Sequence, residues 1–381
     1  MSKLSMKIEI GKKIKQKEGF LAFIPNPFPP QELFDLPKTI LLKTAEADRL
    51  IGKLDGITQL LPDVDFFISM FVAKDAESSA QIEGTKATMV DAMEKKAGVA
   101  TKATDADDIL HYIKALNYGL ERVKQLPLSL RFICELHDKL MTDARSTHFS
   151  DPGAFRKSQN WIGGTLPSNA SFVPPPVHEM QKALNDLEKF LHDEKATLPL
   201  VHIALAHAQF ETIHPFLDGN GRTGRLLITM LLCHKAMLEK PVLFLSSYFK
   251  KHQKIYYQKL YGYHHSEVEA WIDFFLDGVI ETADQAISIS KKITKLREID
   301  MTKIQGLAKR ESESGILVLQ KLYGQPIIST KIVMDWTGFS RVGAQKVVDR
   351  FSKLGILEQK DDRKTYDRSY YYKNYIEIFL R

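Results

Sequence analysis

Apolar residues recur at helical spacing over most of the chain up to about residue 310. The clearest stripe lies in the range 63–83, where four large apolar side chains share one helix face: Phe66, Phe67, Met70 and Phe71. Helical spacing begins near Thr44 and is found again from Glu267, and it predicts five further helices between these points: 105–124, 128–143, 176–193, 199–212 and 220–238. The pattern therefore predicts a mainly α fold.

Two stretches break the helical pattern. The first 37 residues are rich in lysine and then in proline, which predicts an extended arm without secondary structure. The range 161–173 has apolar residues on both sides of a centre rich in Gly, Pro, Ser and Asn. This arrangement predicts a small β-hairpin, which in many proteins is only a surface connection.

The last 70 residues have a different organisation. Three helical segments are predicted there: 316–323, 330–336 and 341–354. Two strands are then predicted on either side of a charged loop: 355–358 and 370–372, around 360–367. Three helices with a tight turn near Gly338, followed by a β-hairpin, are typical of a winged helix-turn-helix. The lysine-rich range 293–310 before them is predicted to be a connector.

Composition limits the class of protein. A chain of 381 residues is long enough for about two to three domains. Its two cysteines, Cys134 and Cys233, lie in apolar helical segments, so neither a disulfide framework nor a cysteine metal site is predicted. The longest nearly apolar run, 226–233, is too short to span a membrane, and no signal peptide is apparent before Pro25. These features favour the reducing cytoplasm, with no membrane partner.

The densest chemistry lies in residues 214–225, which read HPFLDGNGRTGR. A glycine-rich turn that opens a helix presents unpaired backbone N–H groups at the positive end of the helix dipole, which favours anions. Gly219 and Gly221 allow the backbone to approach an oxyanion closely. Arg222 and Arg225 are three apart, on one helix face, and can bind phosphate oxygens as forks. The segment therefore predicts a phosphate site.

Two further side chains of this segment add catalytic chemistry. His214 lies just before the turn and can act as a general base, because imidazole titrates near neutral pH. Asp218 can hold a divalent cation against the same phosphates. The chain has 12 histidines, and the others, such as His202, His207 and His264, are interpreted as core or surface residues without chemistry.

These twelve residues match the pattern His-Pro-Phe-x-(Asp/Glu)-Gly-Asn-Gly-Arg-x-x-Arg at every specified position, so the chain resembles a Fic-domain protein adenylyltransferase. The resemblance implies a helical core that transfers AMP from ATP to a side-chain hydroxyl of a target protein or of the enzyme itself, releasing pyrophosphate. It also implies that the hairpin is a flap beside the active site, where four residues pair with the target backbone by strand addition: Gly163, Gly164, Thr165 and Leu166.

The resemblance assigns roles to the site residues. His214 is the catalytic base, and Asp218 holds Mg²⁺ or Mn²⁺ against the phosphates. The predicted ATP-binding residues lie in the upstream helix, before the turn, and in the glycine-rich turn and the helix that follows it: Glu83, His214, Gly219, Asn220, Gly221, Arg222, Thr223, Gly224 and Arg225. Asn220 can in addition cap this helix. The adenine and ribose pocket is assigned to the segment after that helix, which contains Tyr248, Lys251, Tyr256 and Tyr257; Lys251 and Tyr257 are the predicted ATP contacts.

A second motif lies upstream of the first. Ser79 and Glu83 are four apart, on one helix face, and Gly84 is suited to ending that helix. The run resembles the inhibitory (Ser/Thr)-x-x-x-Glu-(Gly/Asn) motif of self-restrained Fic proteins. The resemblance implies that Glu83 reaches into the ATP site, pairs with Arg225 and blocks the productive pose of the γ-phosphate.

The resemblance leads to a predicted domain organisation. Residues 1–100 are predicted to hold the N-terminal arm and the inhibitory helix, 101–295 the Fic catalytic core with its β-hairpin flap, and 311–381 the winged-helix domain. This last range has 12 Lys+Arg against 9 Asp+Glu, a net charge of +3 that is compatible with DNA or with a protein partner.

Three other readings of the sequence stay open. The Fic region can remove AMP, because Glu83 is present, or it can transfer another phosphoryl group. The chain can also be a nucleotide-sensing DNA-binding regulator. A homodimer is a further partner compatible with the sequence.

Overall fold

A computed structural model describes residues 8–30, 36–59, 64–99, 103–143, 151–193, 197–361 and 368–380. The mainly α fold predicted from the sequence is confirmed. Up to residue 305 the helices are α1 (Lys38–Gln59), α2 (Val64–Ile82), α3 (Met89–Lys96), α4 (Ala106–Arg122), α5 (Leu130–Met141), α6 (Val177–His192), α7 (Pro199–Ile213), α8 (Asn220–His234), α9 (Ser246–Lys251), α10 (Gln253–Tyr263) and α11 (Val268–Gln305).

The core forms around α7. Every residue of α7 from Leu200 to Ile213 is buried, as expected for a helix that is apolar on all sides. It packs against α6, α8 and α11, and α4 and α5 pack on the other side of α8. The predicted stripe in α2 is buried at Met70 and Phe71, whereas Asp63 and the side chains of Phe66 and Phe67 lie outside the described residues.

The prediction of an unstructured N-terminal arm is wrong for residues 11–25. Strands β1 (Gly11–Lys15) and β2 (Leu21–Pro25) form an antiparallel hairpin that turns at Gly19, which has a positive φ of 92°. Phe23 is buried against Phe172 and His264, with ring centroids 5.8 and 5.1 Å apart. The sequence did not predict β1, because this strand is mostly exposed and rich in lysine, and it lacks the apolar alternation of a typical strand.

The predicted hairpin at 161–173 is present in a reduced form. A single antiparallel bridge joins Ile162 to Phe172, and a 3₁₀ turn at Pro167–Asn169 forms the tip. Asn169 Oδ1 accepts hydrogen bonds from the backbone N–H groups of Thr165 (3.0 Å) and Leu166 (2.9 Å). These side-chain bonds replace the strand ladder that the apolar ends predict. The base of the hairpin contacts the N-terminal one, because the backbone N–H of Phe23 donates to Val173 O at 2.9 Å.

The rest of the described chain forms what we call the C-terminal unit, residues 309–380. Its elements are α12 (Lys309–Gly324), β3 (Ile327–Ser329), α13 (Thr330–Thr337), α14 (Arg341–Lys353), β4 (Glu358–Gln359), β5 (Ser369–Tyr371) and α15 (Lys373–Leu380). The three strands pair antiparallel in the order β3-β5-β4. The sequence pattern predicted the helices α12, α13 and α14 and the two later strands, but it missed β3 and α15. The predicted charged loop falls mostly outside the described residues, and the winged-helix interpretation stays a prediction.

Two features bear on the predicted environment. No helix among the described residues is long and apolar enough to cross a membrane. Cys134 and Cys233 are both free thiols, and burial raises the pKa of Cys134 to about 11 and that of Cys233 to about 12. Both thiols are therefore protonated and unreactive near neutral pH.

Candidate functional site

The motif 214–225 spans the end of α7, a tight loop and the start of α8. His214 follows the last residue of α7 with a left-handed backbone (φ 48°, ψ 61°), and the proline after it disfavours continuation of the helix. Gly219 is the N-cap of α8 with φ 79°, a conformation that glycine adopts without strain. The loop therefore brings the base and the glycine-rich helix start together.

Asn220 fixes the shape of this loop. Its Nδ2 donates to Phe216 O and its Oδ1 accepts from the Phe216 backbone N–H, both at 2.8 Å. Gly219, and not Asn220, is the helix N-cap, so the capping role predicted for Asn220 is wrong. Both polar atoms of the Asn220 amide therefore bond to the backbone of Phe216. Such a contact requires a side chain that both donates and accepts.

Three buried side chains that the sequence analysis missed support the same loop from outside the motif. Arg156 Nε donates to His214 O at 3.0 Å, and Asn160 Nδ2 donates to Phe216 O at 2.8 Å. His137 Nδ1 accepts from the Gly153 N–H, so its Nε2 carries the proton and donates to Asp218 O at 2.9 Å. Each of these side chains is separated in sequence by 54 to 81 residues from the backbone oxygens that it binds. Residue spacing along the sequence therefore could not predict these contacts.

His214 is held as a neutral imidazole. Burial lowers its pKa to about 4, so the ring is uncharged at neutral pH. An uncharged imidazole has a nitrogen lone pair that can take the proton of a nearby hydroxyl. Glu211, on the same side of α7, lies with Oε2 3.7 Å from His214 Nδ1. Burial raises the pKa of Glu211 to about 7. His214 can therefore act as a base, as its position before the phosphate turn predicts.

Arg225 connects α8 to the end of α2. Its Nε donates to Ser79 Oγ at 2.8 Å, and its Nη2 donates to Ser79 O at 3.0 Å and to Glu83 Oε1 at 2.7 Å. The arginine side chain is 2% exposed and that of Glu83 is 38% exposed. The turn after α2 contains Gly84 at φ 95°, so a glycine ends this helix as predicted. Ser79, Glu83 and Arg225 thus form one contact.

Arg222 and Asp218 lie on the other side of the turn. Arg222 is buried, with Nη2 3.8 Å from Asp218 Oδ2 and 3.5 Å from Met141 Sδ, and its Nε has no hydrogen-bond partner within the described residues. A buried guanidinium N–H of this kind needs an acceptor. The Asp218 carboxylate also accepts from the Gly219 N–H at 2.6 Å.

The donor set near Asp218 fits a cation that is shared with a ligand. Among the described residues, no group of three His, Cys, Asp or Glu side chains is arranged to hold a metal ion. Mg²⁺ commonly takes one or two carboxylates together with phosphate oxygens and water. Asp218, whose side chain is 44% exposed, can supply such a carboxylate.

The glycines and the threonine of the motif differ in surroundings. Glu83 Oε1 lies directly above Gly221, where it would collide with any Cβ. A Cβ on Gly224 would meet Glu211 Oε1 at 2.6 Å, and Thr223 is buried with its hydroxyl bonded to Gly219 O at 2.8 Å. Thr223 and Gly224 therefore face the protein interior, where they support the turn. This differs from the direct ATP contacts expected for them.

The predicted adenine pocket is only partly brought to the site. Lys251 forms an ion pair with Glu281 of α11 at 2.7 Å, an interaction unrelated to the motif. Tyr256 and Tyr248 are buried, and the Tyr256 hydroxyl bonds His207 Nε2 at 2.9 Å, so both are core residues. Tyr257 is 47% exposed. The buried part of the Tyr257 side chain raises the pKa of its phenol. The nearby Glu83 carboxylate raises this pKa further, and Arg225 lowers it.

The tip of the 161–173 hairpin is exposed. Gly163 and Gly164 both have positive φ, near 70°, and the side chains of Trp161, Ile162 and Leu166 are exposed. Thr165 uses its backbone N–H within the tip. An apolar, exposed edge of this kind is available to another chain.

Two family models match the chain, and both fall on the region that carries this site. Residues 127–232 match the Fic/DOC family, and residues 41–121 match the N-terminal part of the Fic/DOC family. The first range contains the loop, His214 and both arginines, and the second contains Ser79 and Glu83. The chain is therefore a Fic-domain protein.

Named relatives agree with this family. The chain is 28% identical over 249 residues to "Protein adenylyltransferase Fic" of Drosophila grimshawi, covering 63% of this chain and 46% of that protein. It is 32% identical over 162 residues to the protein of the same name from Aedes aegypti, covering 41% and 29%. The chain thus spans about half or less of the length of these relatives.

Solved structures show the same fold. A Fic family protein from Desulfovibrio desulfuricans G20 has a TM-score of 0.57 at 18% identity and covers 89% of this chain and 97% of its own. Fic-1 from C. elegans has a TM-score of 0.53 at 18% identity, covering 66% and 75%. At this identity the likeness concerns the fold alone.

Proposed function

We propose that this protein is an adenylyltransferase that moves AMP from ATP to a side-chain hydroxyl of Ser, Thr or Tyr, in target proteins or in itself. The observation that carries the proposal is the arrangement around one tight loop. A neutral, half-buried His214 lies beside a glycine-rich helix start that is followed by Arg222 and Arg225. The name of the relatives from Drosophila and Aedes supports the same reaction.

In this proposal the hydroxyl oxygen attacks the α-phosphorus of ATP, in line with the departing pyrophosphate. The new oxygen–phosphorus bond joins AMP to the acceptor, and His214 takes the hydroxyl proton. The backbone of Gly221 binds the phosphates, joined by that of Gly219 once its N–H leaves the Asp218 carboxylate, and the two arginines neutralise charge that develops on the phosphates. Mg²⁺ or Mn²⁺ held by Asp218 would supply further charge neutralisation when bound.

We further propose that Glu83 restrains this reaction. Its carboxylate lies over Gly221 and binds Arg225, so it competes with the phosphates for both. A productive ATP pose therefore requires Glu83 to move away. Ser79 strengthens the restraint by binding the same guanidinium from the same helix.

Incubation with ATP, followed by mass spectrometry of the modified proteins, tests the reaction. Wild type and Glu83→Gly should add the mass of AMP to a hydroxyl residue, and His214→Ala should add nothing. An added phosphoryl mass would instead favour phosphoryl transfer. Loss of AMP from a previously modified protein, dependent on Glu83, would favour the de-adenylylating alternative.

A second proposal concerns the C-terminal unit. Its element order and its sheet order β3-β5-β4 support a winged helix, with α14 as the helix that faces a partner. Phe339 and Val342 are exposed near the start of α14, beside Arg341. Binding of double-stranded DNA, tested at two salt concentrations with Arg341→Ala as comparison, separates a DNA partner from a protein partner.

A further inference from the structure

Helix α2 has a line of functional contacts along its length. Phe71, Asp75, Ser79 and Glu83 follow one another at intervals of four residues, which places neighbours on adjacent turns of one side. The first three lie in α2, and Glu83 comes directly after its last residue, Ile82. At about 1.5 Å per residue, the line is about 18 Å long.

The end of α2 near the ATP site is tied to several elements. Ser79 and Glu83 bind Arg225, as described above. Asp75 is buried and accepts from the Tyr112 hydroxyl at 2.7 Å and from the Ser246 N–H at 3.2 Å. Two side chains from the α9–α10 region bind the last carbonyl groups of α2: Lys250 binds Gln81 O at 3.0 Å and Gln253 binds Ile82 O at 2.9 Å.

The other end of α2 contacts the C-terminal unit. Phe71 packs edge-to-face on Phe379 of α15, with ring centroids 5.2 Å apart. Ser69 Oγ donates to Gly324 O at 3.3 Å, at the end of α12, and α12 packs along α2. We call this contact surface, together with the neighbouring contact of α3, the seam.

The α3 part of the seam is an ionic cluster. Glu94 of α3 is buried, and its Oε1 accepts from the Tyr371 hydroxyl and from Lys360 Nζ, both in the sheet region of the C-terminal unit. A buried carboxylate depends strongly on such partners, since their loss leaves its charge uncompensated. The C-terminal unit is therefore firmly positioned against α2 and α3.

Two cavities flank α2 at the seam. One of about 370 Å³ lies between α2, α11 and α15 and is lined by Phe71, Asp75 and Phe379 among others. The other, of about 480 Å³, lies between α2, α3, α4 and residues 324–326. Both spaces are partly open to solvent, so α2 has fewer packed neighbours here than a fully buried helix and has room to shift on the side where the C-terminal unit holds it.

We propose that the C-terminal unit sets the position of α2 and thereby keeps Glu83 on Arg225, so that loosening the seam releases the ATP site. Helix α2 contains neither glycine nor proline in its 19 residues, so a displacement at Phe71 is carried to Ser79 and Glu83 without a hinge. The inference rests on the proposed restraint by Glu83, and it adds a controlling element outside the Fic region.

Hydroxyl and ring deletions at the seam, each with a matched control, test the proposal. Tyr371→Phe removes the bond to Glu94, whereas Tyr370→Phe removes a bond to Gln345 within the C-terminal unit. Phe379→Ala removes the contact with Phe71, whereas Leu317→Ala removes an exposed apolar side chain of α12 in the same unit.

Both seam variants should raise AMP labelling by roughly fivefold or more, the lower range of typical coupling between sites, and the two controls should not. In the Glu83→Gly background the seam variants should add nothing further. An equal gain in that background, or no gain from either seam variant in the otherwise wild-type chain, would overturn the proposal.

Hydrogen exchange of the backbone amides in residues 79–84 gives a readout that does not depend on activity. Tyr371→Phe should accelerate their exchange while Tyr370→Phe should not, with thermal unfolding confirming that both variants are folded. Unchanged exchange in Tyr371→Phe would contradict the coupling. If Glu83→Gly fails to label any protein, the proposed function is wrong, and the exchange result still decides whether the seam controls α2.

Discussion

The carboxylate of Glu83 lies directly over the backbone of Gly221, in space that a Cβ at position 221 would fill. A bound phosphate requires the same space if it is to reach the backbone N–H groups of the helix start. Under the proposed function, glycine at 221 serves two mutually exclusive contacts, one with the Glu83 carboxylate and one with ATP.

Gly221→Ala, made in the Glu83→Gly background, should lower transfer by roughly tenfold or more, since a hydrogen bond to a charged group contributes about 1.5–3 kcal/mol. The measurement is the initial rate of AMP labelling. Gly52→Ala is the matched control, because a Cβ at this exposed position of α1 meets no neighbouring atom. An unchanged rate in the Gly221 variant would mean that the phosphates do not approach this residue.

His214→Ala should abolish transfer and leave the affinity for ATP within a few-fold, because the imidazole acts on the acceptor hydroxyl and not on the donor. Calorimetry and labelling on the same preparation separate the two effects. His202→Gln is a suitable control, because His202 of α7 lies in the core and its Nε2 is 2.7 Å from the backbone oxygen of Phe190 in α6. Labelling by His214→Ala near the wild-type rate would remove His214 from the mechanism.

Transfer should require Mg²⁺ or Mn²⁺, and Asp218→Ala should raise the metal concentration needed for half-maximal rate sharply, since one protein carboxylate is lost and only phosphate and water ligands remain. A titration of rate against metal concentration measures this. Asp138→Ala is the control, because the Asp138 side chain on α5 is 40% exposed. Full activity of the wild type in excess chelator would contradict the prediction.

Acid should destabilise the fold between about pH 6.5 and pH 4. Burial lowers the pKa of five histidines from 6.5, to about 4 for His137, His202 and His214 and to about 3 for His207 and His264. In this window the unfolded chain binds protons that the folded chain does not, so the free energy of unfolding falls as pH falls. Glu211, whose pKa is raised to about 7, opposes this with one group.

Thermal unfolding between pH 7 and pH 5 measures this dependence. His202→Gln should flatten it, because this variant removes one of the histidines whose pKa burial lowers. A melting temperature that rises on acidification would show that these histidines are protonated in the folded protein.

The sequence predicted the residues of the 214–225 motif better than the side chains that hold its loop in place. The spacing within 214–225 predicted that His214, the turn and both arginines lie together, because those residues are neighbours along one loop and helix, and the role of His214 as a base stays a prediction. The family resemblance of the motif at 79–84 predicted that Glu83 pairs with Arg225, and the two side chains are in contact. Arg156 and His137 gave no signal, because they bind backbone oxygens of a loop that only folding brings close.

The same reason explains the elements that were missed. Strand β1 is mostly exposed and carries three lysines, and it is fixed by pairing with β2 and by the burial of Phe23. Helix α15 is short, three of its residues are buried (Tyr375, Ile376 and Phe379), and it packs against α2 and α11. Tertiary contacts therefore decide these segments, and local periodicity does not.

The central claim is that Glu83 restrains AMP transfer through Arg225, and a double-mutant measurement of labelling rate tests it most directly. Glu83→Gly alone should label roughly tenfold faster or more, the effect of losing ~1.4 kcal/mol of competing charge pairing. Its thermal stability should fall, because Arg225 is 2% exposed and loses its counter-charge, although Ser79 still binds the guanidinium. Glu83→Gly combined with Arg225→Ala should be no faster than Arg225→Ala alone. An equal gain from Glu83→Gly with and without Arg225 would contradict the account.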